Sequence, residues 1–231
     1  MRSSLRNPRP EARKEYMNYS AFINQVTRRI LLVACTTAFA VGLMVSLPQL
    51  AHAQNIAPPD VPGGKLKVED GNVPFLVGHA TGTQNYVCQP SGGGFKFVLF
   101  TPQATLFKDN DKQLTTHFFS PNPAENGIIR ATWEDSKDTS TVWAKVHQPD
   151  GTLIVDQTAI AWLLLDVVGT QGGAASSDTL TKTTFIQRVN TVGGIPPATG
   201  CASLADVGTP AFVPYQADYF FYQKEKGHTN N

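Results

Sequence analysis

Between residues 65 and 223 the apolar and polar positions alternate in short runs, and glycine, proline, asparagine and aspartate separate the runs. A period of two is the mark of a strand with one buried face. Residues 95–100 are aromatic and β-branched, with Gly92, Gly93 and Gly94 before them and Pro102 after. Residues 84–89 place Tyr86 and Cys88 on one face. Residues 114–119 run up to Pro121 and Pro123. Residues 141–146 alternate cleanly and then turn at Pro149, Asp150 and Gly151. Residues 183–189 and 218–222 read the same way. Strands at this spacing predict an all-β fold, a single-domain β-sandwich or barrel. Residues 159–168 are short and apolar throughout, which suits a buried strand or a short helix; the length and the Gly169 stop favour a strand. Residues 202–207 predict one helical turn.

The first third has a different pattern. An apolar run over residues 30–47 follows Arg28 and Arg29 and leads to Ala51, His52 and Ala53. A basic segment, an apolar stretch and a small-x-small site make a secretory signal peptide, residues 1–53, with cleavage after Ala53. An uncleaved anchor helix is the alternative, since the run approaches spanning length. Met17 is a second possible start, and residues 27–31 weakly resemble a twin-arginine signal. Residues 32–35 imitate a lipoprotein box, but Cys35 lies too close to Arg29 and the apolar stretch continues past it. Residues 54–64, with three prolines and two glycines, read as a flexible leader. Residues 65–223 form the β domain, and residues 224–231 a polar tail.

Removing the signal changes the charge. The whole chain of 231 residues has a formal net charge of +1, with 19 Lys and Arg against 18 Asp and Glu. Seven of the basic and two of the acidic residues lie in residues 1–53, so the remaining 178 carry 12 basic and 16 acidic side chains. A net charge of −4 without a basic cluster argues against nucleic acid, because neutralising phosphate supplies most of that affinity. It also provides no polybasic membrane patch. After cleavage no stable membrane anchor is expected. Hydrophobic residues at 41 % and charged residues at 16 % exclude disorder as the main state.

Two cysteines remain after cleavage, Cys88 and Cys201. In an exported chain they have one possible pairing, a disulfide closing a loop of about 113 residues; two buried free thiols are the alternative. No C-x-x-C motif points to redox catalysis. Nor is there a G-x-G-x-x-G opening a helix, a G-x-x-x-x-G-K-S/T loop, a G-x-S-x-G elbow or an H-E-x-x-H pair. No cofactor is expected. His79 and His117 both fall in predicted strands and are the candidate metal pair, since strand histidines can converge on one ion; His147 and His228 are the other two histidines of the mature chain. Glu134 and Asp135 are adjacent carboxylates and read best as a solvated turn. Trp133, Trp143 and Trp162 could line a sugar platform, although tryptophan more often fills a core.

Four separated blocks carry a resemblance. They are residues 82–88, residues 161–165, residues 184–194 followed by Pro196, Pro197 and Cys201, and residues 213–222. Together they resemble an exported bacterial and fungal family called domain of unknown function 3455. The resemblance implies secretion and a single domain, and implies no activity. Some fungal members are called malate dehydrogenases, but this sequence has neither a dinucleotide fingerprint nor α/β alternation. It also departs from the family: His117-Phe118 and Thr132-Trp133-Glu134 are separated by a longer loop, Asp138-Thr139-Ser140 stands where an Asp-Gly-Ser turn is usual, and Ala161 replaces a proline.

In the block after residue 183, Arg188 and Asn190 are expected on one strand face, opposite Gln187 and Val189. A buried arginine needs a carboxylate, and Asp218 or Asp166 could supply it. The functional alternative is a polar pocket of Gln84, His117, Trp133, Gln187 and Arg188 that binds a small anionic or sugar ligand. Three readings of function follow. The first is a non-catalytic exported β-domain binding a small ligand or a cell-envelope component. The second is a metal-assisted hydrolase or oxidase using His79 and His117, and the third a structural or stress-related surface protein. The sequence does not fix the oligomeric state, or periplasm against full secretion.

Overall fold

The computed structural model describes residues 56–174 and 178–226. The signal peptide, with Cys35, the first two residues of the leader, and the end of the tail with His228 lie outside the described residues.

Period-two runs of β-branched and aromatic residues pair into nine antiparallel strands: β1 (Asn72–Ser91), β2 (Gly94–Phe107), β3 (Gln113–Asn122), β4 (Ile128–Asp135), β5 (Thr141–Val146), β6 (Thr152–Leu153), β7 (Trp162–Gln171), β8 (Phe185–Gly193) and β9 (Pro210–Lys224). There is no α-helix among the described residues; the turn expected over residues 202–207 is a 3-10 turn at Leu204–Asp206. The strands follow the order β5-β4-β3-β2-β1-β9-β8-β7, and β5 also pairs with β7. That last pairing closes an eight-stranded barrel, with the short β6 added alongside β7. Closure leaves no long unpaired edge. Eight strands enclose a lumen just wide enough for side chains or one small ligand.

Alternation sorts each strand into an inner and an outer face. Ala80, Ala104, Leu106, Trp133, Val142, Ala144, Leu165, Ile186, Tyr219 and Phe221 point inward and form the main core. Leu180, in the β7–β8 connection, is fully buried in that core and plugs one end. Side chains of opposite parity, Leu164, Phe185, Val189, Phe220 and Tyr222, form a second cluster outside the wall.

The segment before β1 covers this second cluster. Leu66 is buried in it, and Ile56, Val61 and Val68 pack against it. Ile56 and Val61 thus give the stretch read from the sequence as a flexible leader, residues 54–64, a packing contact with the barrel. The prolines and glycines shape the path, while apolar residues spaced along it find an apolar outer face that would otherwise meet water.

Two tight places explain particular residues. A Cβ on Gly82 would collide with the Gln103 carbonyl oxygen and the Ala104 Cα of β2, so only glycine lets β1 and β2 approach there. Cys88 and Cys201 form the disulfide, with Cα atoms 5.4 Å apart and a sequence separation of 113. It ties the long β8–β9 connection to the end of β1. Backbone bonds from Cys88 N to Thr209 O and from Gly208 N to Cys88 O strengthen the same attachment.

Candidate functional site

Plugging by Leu180 leaves the opposite part of the lumen unfilled. A cavity of about 590 Å³ lies there, lined by residues of all eight barrel strands and by the β6–β7 and β8–β9 connections. Its size falls within the usual range for small-molecule sites. Most of its surface is apolar: Ile160, Leu163, Leu165 and Phe119 form walls, and Leu99, Ile129, Ile154 and Ile195 surround the mouth.

The polar groups gather at the floor. Gln84 from β1, His117 from β3, Trp133 from β4, Arg188 from β8 and Tyr219 from β9 all line the cavity. They meet because each occupies an inward position of its strand; His117 is the register partner of both Ala104 on β2 and Trp133 on β4. The His117 and Trp133 rings stack with centroids 4.2 Å apart and planes at 11°. Tyr219 closes against both, at 5.3 Å from His117 and 5.5 Å from Trp133.

Electrostatics at the floor follow from burial. Desolvation drives the His117 pKa down to about 3, against a small opposing effect of the Thr132 carbonyl and with a further push from the Arg188 charge. The imidazole is therefore neutral at ordinary pH. Its Nδ1–H donates to Thr132 O at 2.9 Å, which leaves Nε2 as an acceptor. Burial raises the pKa of Tyr215 and Tyr86, and Arg188 offsets part of each rise. Tyr86 donates to the Gly194 carbonyl at 2.6 Å.

Two of the residues lining the cavity hold a buried donor without a hydrogen-bond partner, Trp133 at Nε1 and Gln84 at Nε2. The Gln84 side chain neighbours the Tyr215 hydroxyl and lowers that pKa slightly, but the geometry at Nε2 does not make a hydrogen bond. Such orphans are uncommon in folded proteins and call for an explanation.

Arg188 is the most unusual group. Its Nε and one terminal nitrogen donate to Ala161 O at 3.1 and 2.7 Å. The carboxylates expected to neutralise it are engaged elsewhere: Asp166 bonds His147 Nδ1 at 2.7 Å, and Asp218 bonds His79 and Asn190. No salt bridge of Arg188 exists among the described residues. Nor does any Asp or Glu line the cavity. Of the other cations in the lining, Arg130 is held by Glu125 through two 2.7 Å bonds, and Lys145 is exposed.

Four of the five polar residues singled out in the sequence thus share one cavity. Gln187 does not join them. Adjacent to Arg188, it points through the wall, where Nε2 donates to Leu66 O at 3.0 Å and Oε1 accepts from Tyr222 at 2.9 Å. Asn190 also departs from expectation. A bulge between Val189 and Val192 and a φ of 51° at Asn190 turn it outward, away from Arg188.

The candidate metal pair is not brought together. His117 faces the lumen. His79, at the opposite parity of β1 from the inward Ala80, sits outside between Asp218 (2.7 Å) and Asp109 (2.8 Å). Among the described residues no group of three His, Cys, Asp or Glu side chains is arranged to hold a metal. The three tryptophans are also dispersed. Trp143 bonds Ser120 Oγ at 2.9 Å, Trp162 belongs to the outer cluster, and one face of Trp133 is taken by His117. Asp135, read from the sequence as part of a solvated turn, is buried and accepts from Lys137 N and Asp138 N.

Sequence reasoning missed Tyr86 and Tyr219 as lumen groups, although Tyr86 has the same parity as Gln84. It missed the apolar mouth entirely, because Ile154 and Ile195 lie in connections rather than strands. No curated protein and no solved structure is significantly similar to the chain. The family described as Protein of unknown function (DUF3455) matches residues 69–223, a stretch running from just before β1 to the end of β9, and the chain belongs to that family.

Proposed function

We propose that the barrel is a non-catalytic binding module and that its lumen holds a small anionic ligand. The observation that carries this is Arg188, a partly buried cation in an acid-free apolar cavity. Desolvating a charge without a counter-ion costs several kcal/mol, and a ligand anion is the partner that would offset it. Gln84 and Trp133, which line the same end of the cavity, add polar side chains but no acid beside Arg188. The non-catalytic part rests on the composition of the lining, which offers a neutral histidine but no carboxylate, cysteine or serine among the described residues.

The sugar alternative has less support. A stacking platform needs an open ring face, and the rings at the floor pack on one another. The buried disulfide is consistent with an oxidising environment, which agrees with export to the periplasm or beyond by the signal read from residues 1–53.

Thermal unfolding of the disulfide-bonded protein against a panel of organic and inorganic anions, neutral sugars and peptidoglycan fragments tests the reading. A ligand at 100 times its Kd stabilises by roughly 2.7 kcal/mol, which raises the midpoint by roughly 5–10 °C in a domain of this size. Anions are expected to give such shifts and R188Q to remove them. Shifts from sugars alone, or anion shifts that survive R188Q, would contradict it.

A further inference from the structure

Resting on the reading of the lumen as an anion site, we propose that its ligand is an amphiphilic acid, a carboxylate on a long apolar body, seated head-first. Burial grades along the cavity in one direction. At the floor Gln84, His117 and Trp133 are 2, 4 and 1 % exposed, whereas Leu99, Ile129, Ile154 and Ile195 at the mouth are 38, 56, 58 and 41 % exposed. Arg188, the cation without a carboxylate partner among the described residues, lines the cavity with these three. His117 is neutral and adds no positive charge, so the charge that draws an anion to this end is that of Arg188.

Between floor and mouth the walls are Ile160, Leu163 and Leu165. A small polar anion would satisfy the floor but leave those walls and the four mouth residues against water. An apolar body attached to the anion covers both, and burying it supplies the affinity that the walls offer. The reverse orientation would put an apolar chain against the Arg188 guanidinium and an anion among isoleucines.

The test is a chain-length series measured by calorimetry at pH 7 on the disulfide-bonded protein: acetate, butyrate, octanoate and dodecanoate, with octanol as the uncharged control and succinate as the polar dianion. Burial of each methylene is worth about 0.8 kcal/mol, so Kd is expected to fall about three- to fourfold per added methylene until the chain passes the mouth. Octanoate is expected to bind at least tenfold more tightly than octanol, and R188Q to erase that difference. Because Arg188 also braces the backbone at Ala161, a second variant guards against misfolding: Ile154→Asn, on an exposed side chain, is expected to weaken dodecanoate at least fivefold and acetate by a much smaller factor. A flat series in which succinate binds through Arg188 would overturn the amphiphile and leave the anion site standing. Equal binding of octanol and octanoate, indifferent to R188Q, or no binding by any probe, would overturn both.

Discussion

His117 lies flat against Trp133, 4.2 Å between ring centroids, and the contact sets a histidine that cannot easily be charged against an indole N–H that has no acceptor. The burial that serves the site therefore costs stability in acid. The folded His117 pKa, about 3, is below the unfolded value of 6.5, so on acidification the unfolded chain takes up the proton first. Stability is expected to fall as pH drops from 6.5 toward 3, by up to about 1.4 kcal/mol per pH unit from this group. His117→Phe keeps an aromatic ring on Trp133 and removes the titration. Urea denaturation between pH 4.5 and 7 should show a shallower slope for the variant; parallel slopes would mean that the imidazole is not sealed from water.

His79 has the opposite sign. Partial burial lowers its pKa, but hydrogen bonds to Asp218 and Asp109, together with their charges, outweigh burial and hold it above the usual value. A raised folded pKa gives stability that is fully present below the unfolded pKa and is lost as pH rises through the folded one. The side chain is 44 % exposed, so the contribution is small, below about 1 kcal/mol. Asp218→Asn is expected to lower the His79 pKa in a proton NMR titration, while the His117 ring protons stay constant from pH 5 to 8.

The disulfide should matter more than either histidine. Closing a loop of 113 residues is worth about 4–5 kcal/mol in the chain-entropy model, and engineered bridges often deliver less. Reduction, or the pair of substitutions C88S and C201S, is expected to lower the unfolding free energy by about 2–5 kcal/mol. It should also loosen residues 194–209, which carry Ile195 to the mouth of the cavity. Hydrogen exchange would resolve the two effects: fast exchange confined to this connection is local release, and fast exchange across β1 and β9 is global loss.

What the sequence made legible depended on whether local pattern or distant pairing decided each element. Residues 141–146 became a strand within the same bounds, because clean alternation ends at a proline-glycine turn. The disulfide followed from there being one possible pairing. β4 was not foreseen, although Ile129, Ala131 and Trp133 alternate with Arg130, Thr132 and Glu134: the adjacent carboxylates Glu134 and Asp135 read as a turn, and the inward series supplies one wall of the site. Closure through β5 and β7 leaves no local trace. Four of the five site residues could be gathered in advance because they are polar residues within apolar runs. Gln187 was gathered with them although its neighbour Arg188 must face the other way. The mismatch over Arg188 has a similar origin, since which carboxylate reaches it depends on strand parity, and Asp166 and Asp218 both fall outside the wall.

The plug rests on one carboxylate. Asp138 accepts from Ser140 N and Oγ through one oxygen and from Thr179 N and Oγ through the other, at 2.6–2.9 Å. This joins the β4–β5 turn to the connection that carries Leu180. Burial raises the Asp138 pKa, but these four bonds dominate and hold it well below the carboxylate range. The associated stability is present above the unfolded pKa of 3.8 and is lost as pH falls below it. Asp138→Ala is expected to cost at least about 2 kcal/mol, from bonds to a charged group worth about 1.5–3 kcal/mol each and not additive. Leu180→Ala should cost about 2–5 kcal/mol by opening the sealed end. Chemical denaturation measures both, and a cost below about 0.5 kcal/mol for Asp138→Ala would show that the plug is held by packing alone.

Arg188→Met separates stability from binding. Without ligand, two effects oppose. The variant removes a desolvated charge that no carboxylate compensates, which favours folding, and it strips the Ala161 carbonyl of two donors, which costs about 1–3 kcal/mol. The methionine fills much of the same volume in an apolar wall. The stability of the ligand-free variant is therefore expected to lie within about 1.5 kcal/mol of the wild type, while stabilisation by anions disappears. The same contrast distinguishes a binding residue from a structural one. If Arg188 served only to brace the β6–β7 connection through Ala161, the variant would unfold several degrees lower and retain its response to anions. A site residue gives the reverse pattern, with an almost unchanged midpoint in buffer and no shift when the anion is added.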